Sequence, residues 1–211
     1  MDQYEVTNAE FYAFVEATGY VTVAERIGGI MATVPGKGWQ VLKDHTWRTH
    51  RYYAKRGIPL DMGTEPKLQN RPVLALAPED VLAYAQWVGK RIPTYAEWVH
   101  AARAGQEDYA FLYPGGNKIR QVAWYEKNSD NYFPEPVGTK APNELGIYDL
   151  AGNVCELVYS VRNPGEFVLI GGSYIDDQET CEIGRITNNV QLNWPLDWPS
   201  GILGIRLVKD L

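Results

Sequence analysis

Two cysteines, Cys155 and Cys181, could take part in more kinds of chemistry than the other residues of this 211-residue chain. A single pair cannot form a framework of several disulfides, so the cysteine content gives no sign of the redox compartment. As thiolates the two side chains could bind a soft metal ion. As thiols they could form one disulfide or fill small apolar spaces in the core. Their residue type alone leaves these alternatives open.

Acidic residues surround the second of these cysteines. Paired carboxylates could carry out acid–base chemistry, or they could bind a cation or a basic peptide. A solvated acidic loop would have the same composition, so the sequence leaves both interpretations standing. The residues concerned are Asp176, Asp177, Glu179 and Glu182.

A second set of oxygen ligands is suggested by Asp149 and Glu156, which flank a turn. Calcium takes about six to eight oxygen ligands and accepts carboxylates together with backbone carbonyls. Gly152 lies between the two carboxylates and allows the backbone to turn a carbonyl inward. Solvated turn residues would show the same spacing, so the pattern alone does not establish a cation site.

Charge and hydropathy argue against two classes of partner. The formal net charge of −6 is unfavourable for nucleic acid, because phosphate binding needs a basic face. No apolar run is long enough to cross a membrane, and no signal peptide is visible at the start, so the localisation stays open. The histidines are scattered and do not suggest a histidine-rich metal site: His45, His50 and His100.

Helix signals are concentrated in the first half of the chain. Pro78 suits the first position of a helix. Residues 20–75 carry glycines, prolines and scattered aromatics with little periodicity, which predicts a long, folded excursion over the surface. Two pairs have the capping-box spacing that begins a helix: Thr7 with Glu10 and Thr94 with Glu97. The three helices are predicted to end at Gly19, Gly89 and Gly105.

Short strands and turns dominate after position 105. Turn-forming residues cluster at 113–117 and 142–146. The best strand candidates are residues 168–170, 202–203 and 205–208. Helices that come early and strands that come late predict an α+β domain.

Motifs in a fixed order along nearly the whole chain resemble the formylglycine-generating enzyme, or sulfatase-modifying factor, family. The most recognisable is NELGIYDLAGNVCE at residues 143–156. The resemblance implies a C-type-lectin-like α+β fold with little regular secondary structure, formed by residues 1–211 as one domain. The family's usual N-terminal strand is expected to be missing. The other matching segments are 4–8, 87–98, 113–116, 171–174 (GGSY) and 204–208 (GIRLV).

The resemblance also implies what a catalytic site would contain. Family members hold copper(I) with two cysteines and use it with oxygen to oxidise a substrate cysteine. Here the first of these positions is Asp176 and the second is Cys181. One carboxylate and one thiolate hold copper(I) poorly, because this ion prefers sulfur. We therefore expect copper binding and the standard reaction to be lost.

Other site residues follow from the same resemblance. Cys155 stands where the family has a tryptophan lining the active-site groove, and it could rebuild a two-sulfur site with Cys181. The candidate catalytic residues are therefore Cys181, Cys155 and Ser173. The resemblance also implies structural calcium, with ligands from the side chains of Asp149 and Glu156 and from the carbonyls of Gly152 and Val154.

Two functions are compatible with this sequence. The first, which we favour, is a binding module for an unknown protein or small molecule, with the former active-site groove as the binding site. The second is a copper-dependent oxidase that uses Cys181 with Cys155, or another oxidoreductase activity in the same groove. The groove is predicted to involve Asp176, Asp177, Trp194 and Trp198, unless both tryptophans prove to be buried wedges.

Overall fold

The computed structural model describes residues 1–34, 37–49, 61–129, 133–160, 166–187 and 198–210. Short helices and strands are joined by long irregular segments, which confirms the α+β prediction. Within these ranges no helix is long and apolar enough to span a bilayer. The helices are α1 (Asn8–Thr18), α2 (Val23–Ile27), α3 (Pro78–Trp87), α4 (Tyr95–Ala102) and α5 (Ile119–Val122). The strands are β1 (Gly29–Val34), β2 (Gly38–Lys43), β3 (Cys155–Tyr159), β4 (Phe167–Ile170) and β5 (Leu203–Gly204).

The predicted helix starts are confirmed. At the start of α1 the Glu10 amide donates to the Thr7 hydroxyl and the Thr7 amide donates to the Glu10 carboxylate, so each side chain satisfies a free amide of the first turn. Thr94 and Glu97 repeat this arrangement at α4. The left-handed backbone of Gly19 ends α1 as predicted, whereas α4 ends at Ala102, before the predicted Gly105.

Residues 20–75 differ from the prediction of a surface excursion. They contain α2 and an antiparallel hairpin of β1 and β2, in the register that places Gly29 opposite Lys43. The segment also enters the interior, where Ala24 and Val73 are fully buried. Elements this short contain too few residues for a periodic pattern to become visible in the sequence.

The second sheet has β3 at its centre, with β4 antiparallel on one side and β5 parallel on the other. The prediction of β4 is confirmed, but residues 205–208 do not form the predicted strand. They pair instead with distant segments of the chain. The amide of Val6 donates to the carbonyl of Ile205, and Val208 and Arg91 exchange backbone hydrogen bonds.

Two apolar clusters enclose β3. In the larger one, aromatic rings join α1 to its neighbours, with centroids 5.1 Å apart for Phe11 and Trp47 and 5.6 Å apart for Phe14 and Tyr84. In the smaller one, Trp98 of α4 packs against β3 and β4. Because side chains alternate along a strand, β3 directs successive residues into different surroundings.

Candidate functional site

Two buried polar clusters begin at adjacent residues of β3. Cys155 points to a group that we call the thiol cluster, which consists of Cys155, Ser173, Asp176 and Cys181. Glu156 points to a group that we call the carboxylate cluster, which consists of Glu5, Asp149, Glu156 and Arg206.

Asp176 lies at the centre of the thiol cluster. The hydroxyl of Ser173, which is fully buried, donates to Asp176 Oδ2 at 2.6 Å. The Cys155 thiol approaches the same oxygen, with Sγ 3.8 Å from Oδ2. The predicted candidates Ser173, Cys155 and Asp176 are therefore brought together, with the carboxylate in contact with a thiol and a hydroxyl.

Cys181 reaches this cluster because residue 172 is glycine. A Cβ on Gly172 would lie 2.8 Å from the Cys181 sulfur, which is closer than packed atoms approach. Gly172 also holds φ at 71°, in the left-handed region that favours glycine. Cys155 and Cys181 are both buried and both are free thiols, so they do not form the disulfide considered from the sequence.

The surroundings oppose ionisation of both thiols. Burial raises the pKa of Cys155 well above its usual value, and the Asp176 carboxylate raises it further. Burial and then Asp176 raise the pKa of Cys181 in the same way. The pKa of Asp176 is also raised by burial, against the opposing effect of the Ser173 hydrogen bond. At neutral pH both sulfurs are therefore protonated, whereas metal binding and nucleophilic attack need thiolates.

A cavity of about 250 Å³ opens beside Asp176. Asp177 at its edge accepts hydrogen bonds from the amide and hydroxyl of Thr180, which lower the pKa of its carboxyl. Trp198 is about one-third exposed but is absent from the cavity wall, and Trp194 lies outside the described residues. The wall is formed by Asp176, Asp177, Glu179, Thr180, Arg185, Ile186 and Thr187.

In the carboxylate cluster, both oxygens of Glu156 are already occupied. Oε1 accepts from Arg206 Nε at 2.8 Å, in an ion pair whose two side chains are 0% and 1% exposed. Oε2 accepts from the indole nitrogen of Trp98. The Arg206 guanidinium also donates to the carbonyls of Asp2 and Tyr148, which ties the start of the chain to its last segment.

Glu5 completes this cluster and was not singled out from the sequence. Its carboxylate accepts from the side-chain amide of Asn153 at 2.6 Å and from the backbone amide of Val154 at 3.2 Å. Burial raises its pKa well above the usual value, and Asp149 adds to this shift while Arg206 opposes it. A buried glutamate two residues before a capping box gives no local pattern that could have revealed its role.

The predicted calcium ligands fit a metal only in part. Asp149 Oδ2 accepts from the amide of Gly138 at 2.7 Å, while Oδ1 is buried without a partner in the described part of the chain. Glu156 does not fit, because both of its oxygens accept from Arg206 and Trp98. No three acidic, histidine or cysteine side chains of the described residues meet in a metal-holding arrangement. Calcium binding here would therefore depend on Asp149 and carbonyls, and it stays a prediction.

Gly152 has a structural role that mutation can test. A Cβ at this position would lie 2.0 Å from the carbonyl oxygen of Trp124, and φ is 71°. We expect Gly152→Ala to lower the free energy of unfolding by about 2–4 kcal/mol, measured by urea denaturation. Gly19→Ala is the matched control, since its φ of 67° is similar but nothing lies within 4 Å, and it should cost only about 1 kcal/mol. Equal losses of unfolding free energy in the two variants would show that backbone strain, not the contact with Trp124, explains why alanine destabilises position 152.

Glu5 should make stability depend on pH. Because its pKa is raised in the folded state, its protonation favours folding; this contribution is complete below the ordinary value of 4.5 and is lost as the pH rises through the folded-state pKa. We expect the wild type to lose stability relative to Glu5→Gln as the pH rises above 4.5 and through the folded-state pKa. Urea denaturation across a pH series would measure the difference. Glu107→Gln, at an exposed position, should follow the wild type, and parallel curves for Glu5→Gln would contradict the prediction.

Comparison with known proteins gives two closely related kinds of relative. The formylglycine-generating enzyme of Streptomyces coelicolor is 33% identical over an alignment of 253 residues, which covers 100% of this chain and 77% of the relative. The inactive C-alpha-formylglycine-generating enzyme 2 of Bos taurus is 31% identical over 229 residues, which covers 98% of this chain and 75% of the relative. The chain is therefore similar both to a protein named as a formylglycine-generating enzyme and to one named as inactive.

The fold is shared with solved structures. PvdO from Pseudomonas aeruginosa superposes with a TM-score of 0.68 at 20% identity, covering 99% of this chain and 79% of that one. Residues 1–211 match the family described as the sulfatase-modifying factor enzyme 1-like domain. Together with the relatives above 30% identity, this match shows that the chain belongs to the formylglycine-generating enzyme, or sulfatase-modifying factor, family.

Proposed function

We propose that this domain keeps the family fold but uses its former active-site groove to bind a ligand, rather than to oxidise cysteine. The observation that carries the proposal is the Asp176 carboxylate, which occupies a position that the resemblance assigns to a copper-binding cysteine. It is held there by Ser173 and contacts Cys155. A relative that is named as inactive and is 31% identical to this chain supports the idea that the chemistry can change while the fold is kept.

The chemistry of the thiol cluster supports this proposal. Copper(I) binds soft ligands, and a carboxylate oxygen is a hard one. Both thiols are buried and have raised pKa values, so a copper ion would have to displace two protons as well as enter an enclosed space. In the alternative, a copper oxidase built from Cys181 and Cys155, copper binding would be weakened both by the loss of these two protons and by the entry of the ion into the enclosed space.

The cavity beside Asp176 supports a binding role. It is open to solvent at Asp177 and Glu179, which are exposed, and it reaches inward to the buried Thr187. Polar groups that converge on a concave site fix the orientation of a ligand. With a net charge of −6, nucleic acid is an unfavourable occupant, which leaves a protein or a small molecule.

The proposal is tested with a cysteine-containing peptide in the presence of copper(I) and oxygen. We expect no aldehyde product by mass spectrometry, because the cluster offers no pair of thiolates to copper(I). The Streptomyces coelicolor relative, assayed in parallel, is the positive control. Aldehyde formation that disappears in both Cys155→Ser and Cys181→Ser would instead establish the oxidase alternative.

A further inference from the structure

Two side chains that line the cavity beside Asp176 can accept a further hydrogen bond. Thr187 is 2% exposed and lines the cavity, and its Oγ1 has no hydrogen-bond partner in the described part of the chain. Its hydroxyl lies near enough to Cys155 to lower the pKa of that thiol, but a hydroxyl that donates to sulfur still keeps its lone pairs as acceptors. A buried hydroxyl without a partner is costly unless a ligand supplies one.

Asp176 provides the second acceptor. Its Oδ2 takes both the Ser173 hydroxyl and the Cys155 thiol, and the backbone of Ser173 also donates to the carboxylate. Because each carboxylate oxygen accepts about two hydrogen bonds, Asp176 can still accept another donor. Both acceptors are firmly placed. The amide of Thr187 donates to the carbonyl of Leu169 in β4 at 2.8 Å, and the amide of Asp176 donates to the carbonyl of Ser173 at 3.1 Å.

The charge around the cavity favours a cation. Asp176, Asp177 and Glu179 all line it, whereas the positive charge of Arg185 is offset by Glu182, 3.2 Å away. Acidic groups at the mouth of a concave site raise the local concentration of positively charged ligands. A metal ion is disfavoured, because no three acidic, histidine or cysteine side chains of the described residues form a metal-holding group.

The size of the cavity and the arrangement of its acceptors narrow the ligand further. A volume of about 250 Å³ is below the range of roughly 300–1,000 Å³ that pockets for drug-sized ligands occupy. It therefore suits one compact group. The acceptors belong to two separate side chains, a carboxylate and a hydroxyl. An ammonium group matches such scattered acceptors, because its three donors point in different directions, whereas guanidinium presents a planar fork.

We propose that this cavity binds a primary ammonium group, with the Asp176 carboxylate and Thr187 Oγ1 as its acceptors. The inference rests on the proposed function, since it names the chemical class of the ligand that the groove takes. Asp176 supplies a charge-assisted hydrogen bond, and Thr187 supplies an uncharged one at the inner end of the cavity. The ammonium group can belong to a free amine or to a lysine side chain of a peptide.

The test is an NMR titration of the ¹⁵N-labelled protein with three probes. These are Nα-acetyl-lysine methylamide, its Nε-acetylated form, which has the same backbone but no charge, and butylamine. We expect the lysine derivative to shift the amide signals of residues 176–187 and to bind at least about tenfold more tightly than the acetylated form. Butylamine separates the sources: binding as tight as that of the lysine derivative indicates a site for free amines, and weaker binding indicates that the peptide contributes.

Variants assign the acceptors. Asp176→Asn removes the charge and should weaken binding of the lysine derivative by about tenfold or more, and Thr187→Val removes the hydroxyl at nearly constant volume and should weaken it by roughly threefold to tenfold. Glu107→Gln removes one negative charge at an exposed position outside the cavity and should bind as the wild type does. Circular dichroism confirms that each variant is folded.

Three results would overturn the inference. They are equal affinity for the two lysine derivatives, no loss of affinity in either Asp176→Asn or Thr187→Val, and no shift of residues 176–187 with any ammonium probe. In the first case the cavity binds a ligand without recognising its charge, so the proposed binding function survives while the inference fails. Failure of the proposed function is reported separately, by aldehyde formation in the cysteine-peptide assay.

Discussion

Replacing Arg206 with methionine is expected to lower the free energy of unfolding by about 3–5 kcal/mol, because the change removes the cation of a fully buried ion pair. Glu156 would then face Glu5 and Asp149 without a compensating charge. Two further hydrogen bonds, to the carbonyls of Asp2 and Tyr148, would be lost as well. Urea denaturation monitored by tryptophan fluorescence measures the effect.

The electrostatic part of this loss can be separated by pH. In the Arg206→Met variant the unpaired carboxylates would bind protons more readily, so the deficit relative to the wild type should shrink as the pH is lowered. Arg26→Met is a matched control, because its ion pair with Glu79 is exposed and should contribute little at any pH. A deficit that does not change with pH would mean that Arg206 acts through packing alone.

Replacing Asp176 with cysteine is expected to raise the affinity for copper(I) by on the order of 100-fold or more, because it gives the ion a second sulfur beside Cys181. The structure places residue 176 close enough to Cys181 for its charge to raise the pKa of that thiol. An anaerobic titration of the reduced protein against a competing copper(I) chelator measures the change. The wild type should compete poorly.

Two controls assign the gain to the new sulfur. Asp176→Asn removes the buried charge without adding a thiol, and it should stay close to the wild type. Combining Asp176→Cys with both Cys181→Ser and Cys155→Ser should abolish the gain, since only one sulfur would remain in the thiol cluster, in which Cys155 also contacts position 176. If Asp176→Cys binds copper(I) no better than Asp176→Asn does, position 176 does not face a metal site. The presence of aspartate at this position would then not explain why the protein binds copper(I) poorly.

Local features of this fold were predictable from the sequence. The capping boxes at Thr7 and Thr94 are formed as predicted, because the interactions that begin a helix lie within one turn of the chain. A third capping box, Thr22 with Glu25, begins α2 and carries the same signal, although it lies in a segment whose composition predicts irregular structure. The family fold was predictable because its motifs recur in order along nearly the whole chain.

The polar clusters were harder to predict from the sequence, because their contacts join distant parts of the chain. Asn153 donates to Glu5 across 148 positions, and Arg206 pairs with Glu156 across 50. The resemblance implied that Glu156 binds calcium, and only the structure shows that its oxygens are taken. The replacement at Asp176 was visible in the sequence. That the Thr187 hydroxyl has no partner among the described residues depends on three-dimensional packing.

The carboxylate cluster also imposes an order on synthesis of the chain. Glu5 leaves the ribosome before Arg206, and at about 5–20 residues per second roughly 10–40 s separate them. During that interval the carboxylates of Glu5, Asp149 and Glu156 have no guanidinium to neutralise them, so they favour hydration over burial. The interior around β3 can therefore close only after residue 206 has been translated, and a nascent chain stalled before that residue should remain accessible to proteases and chaperones.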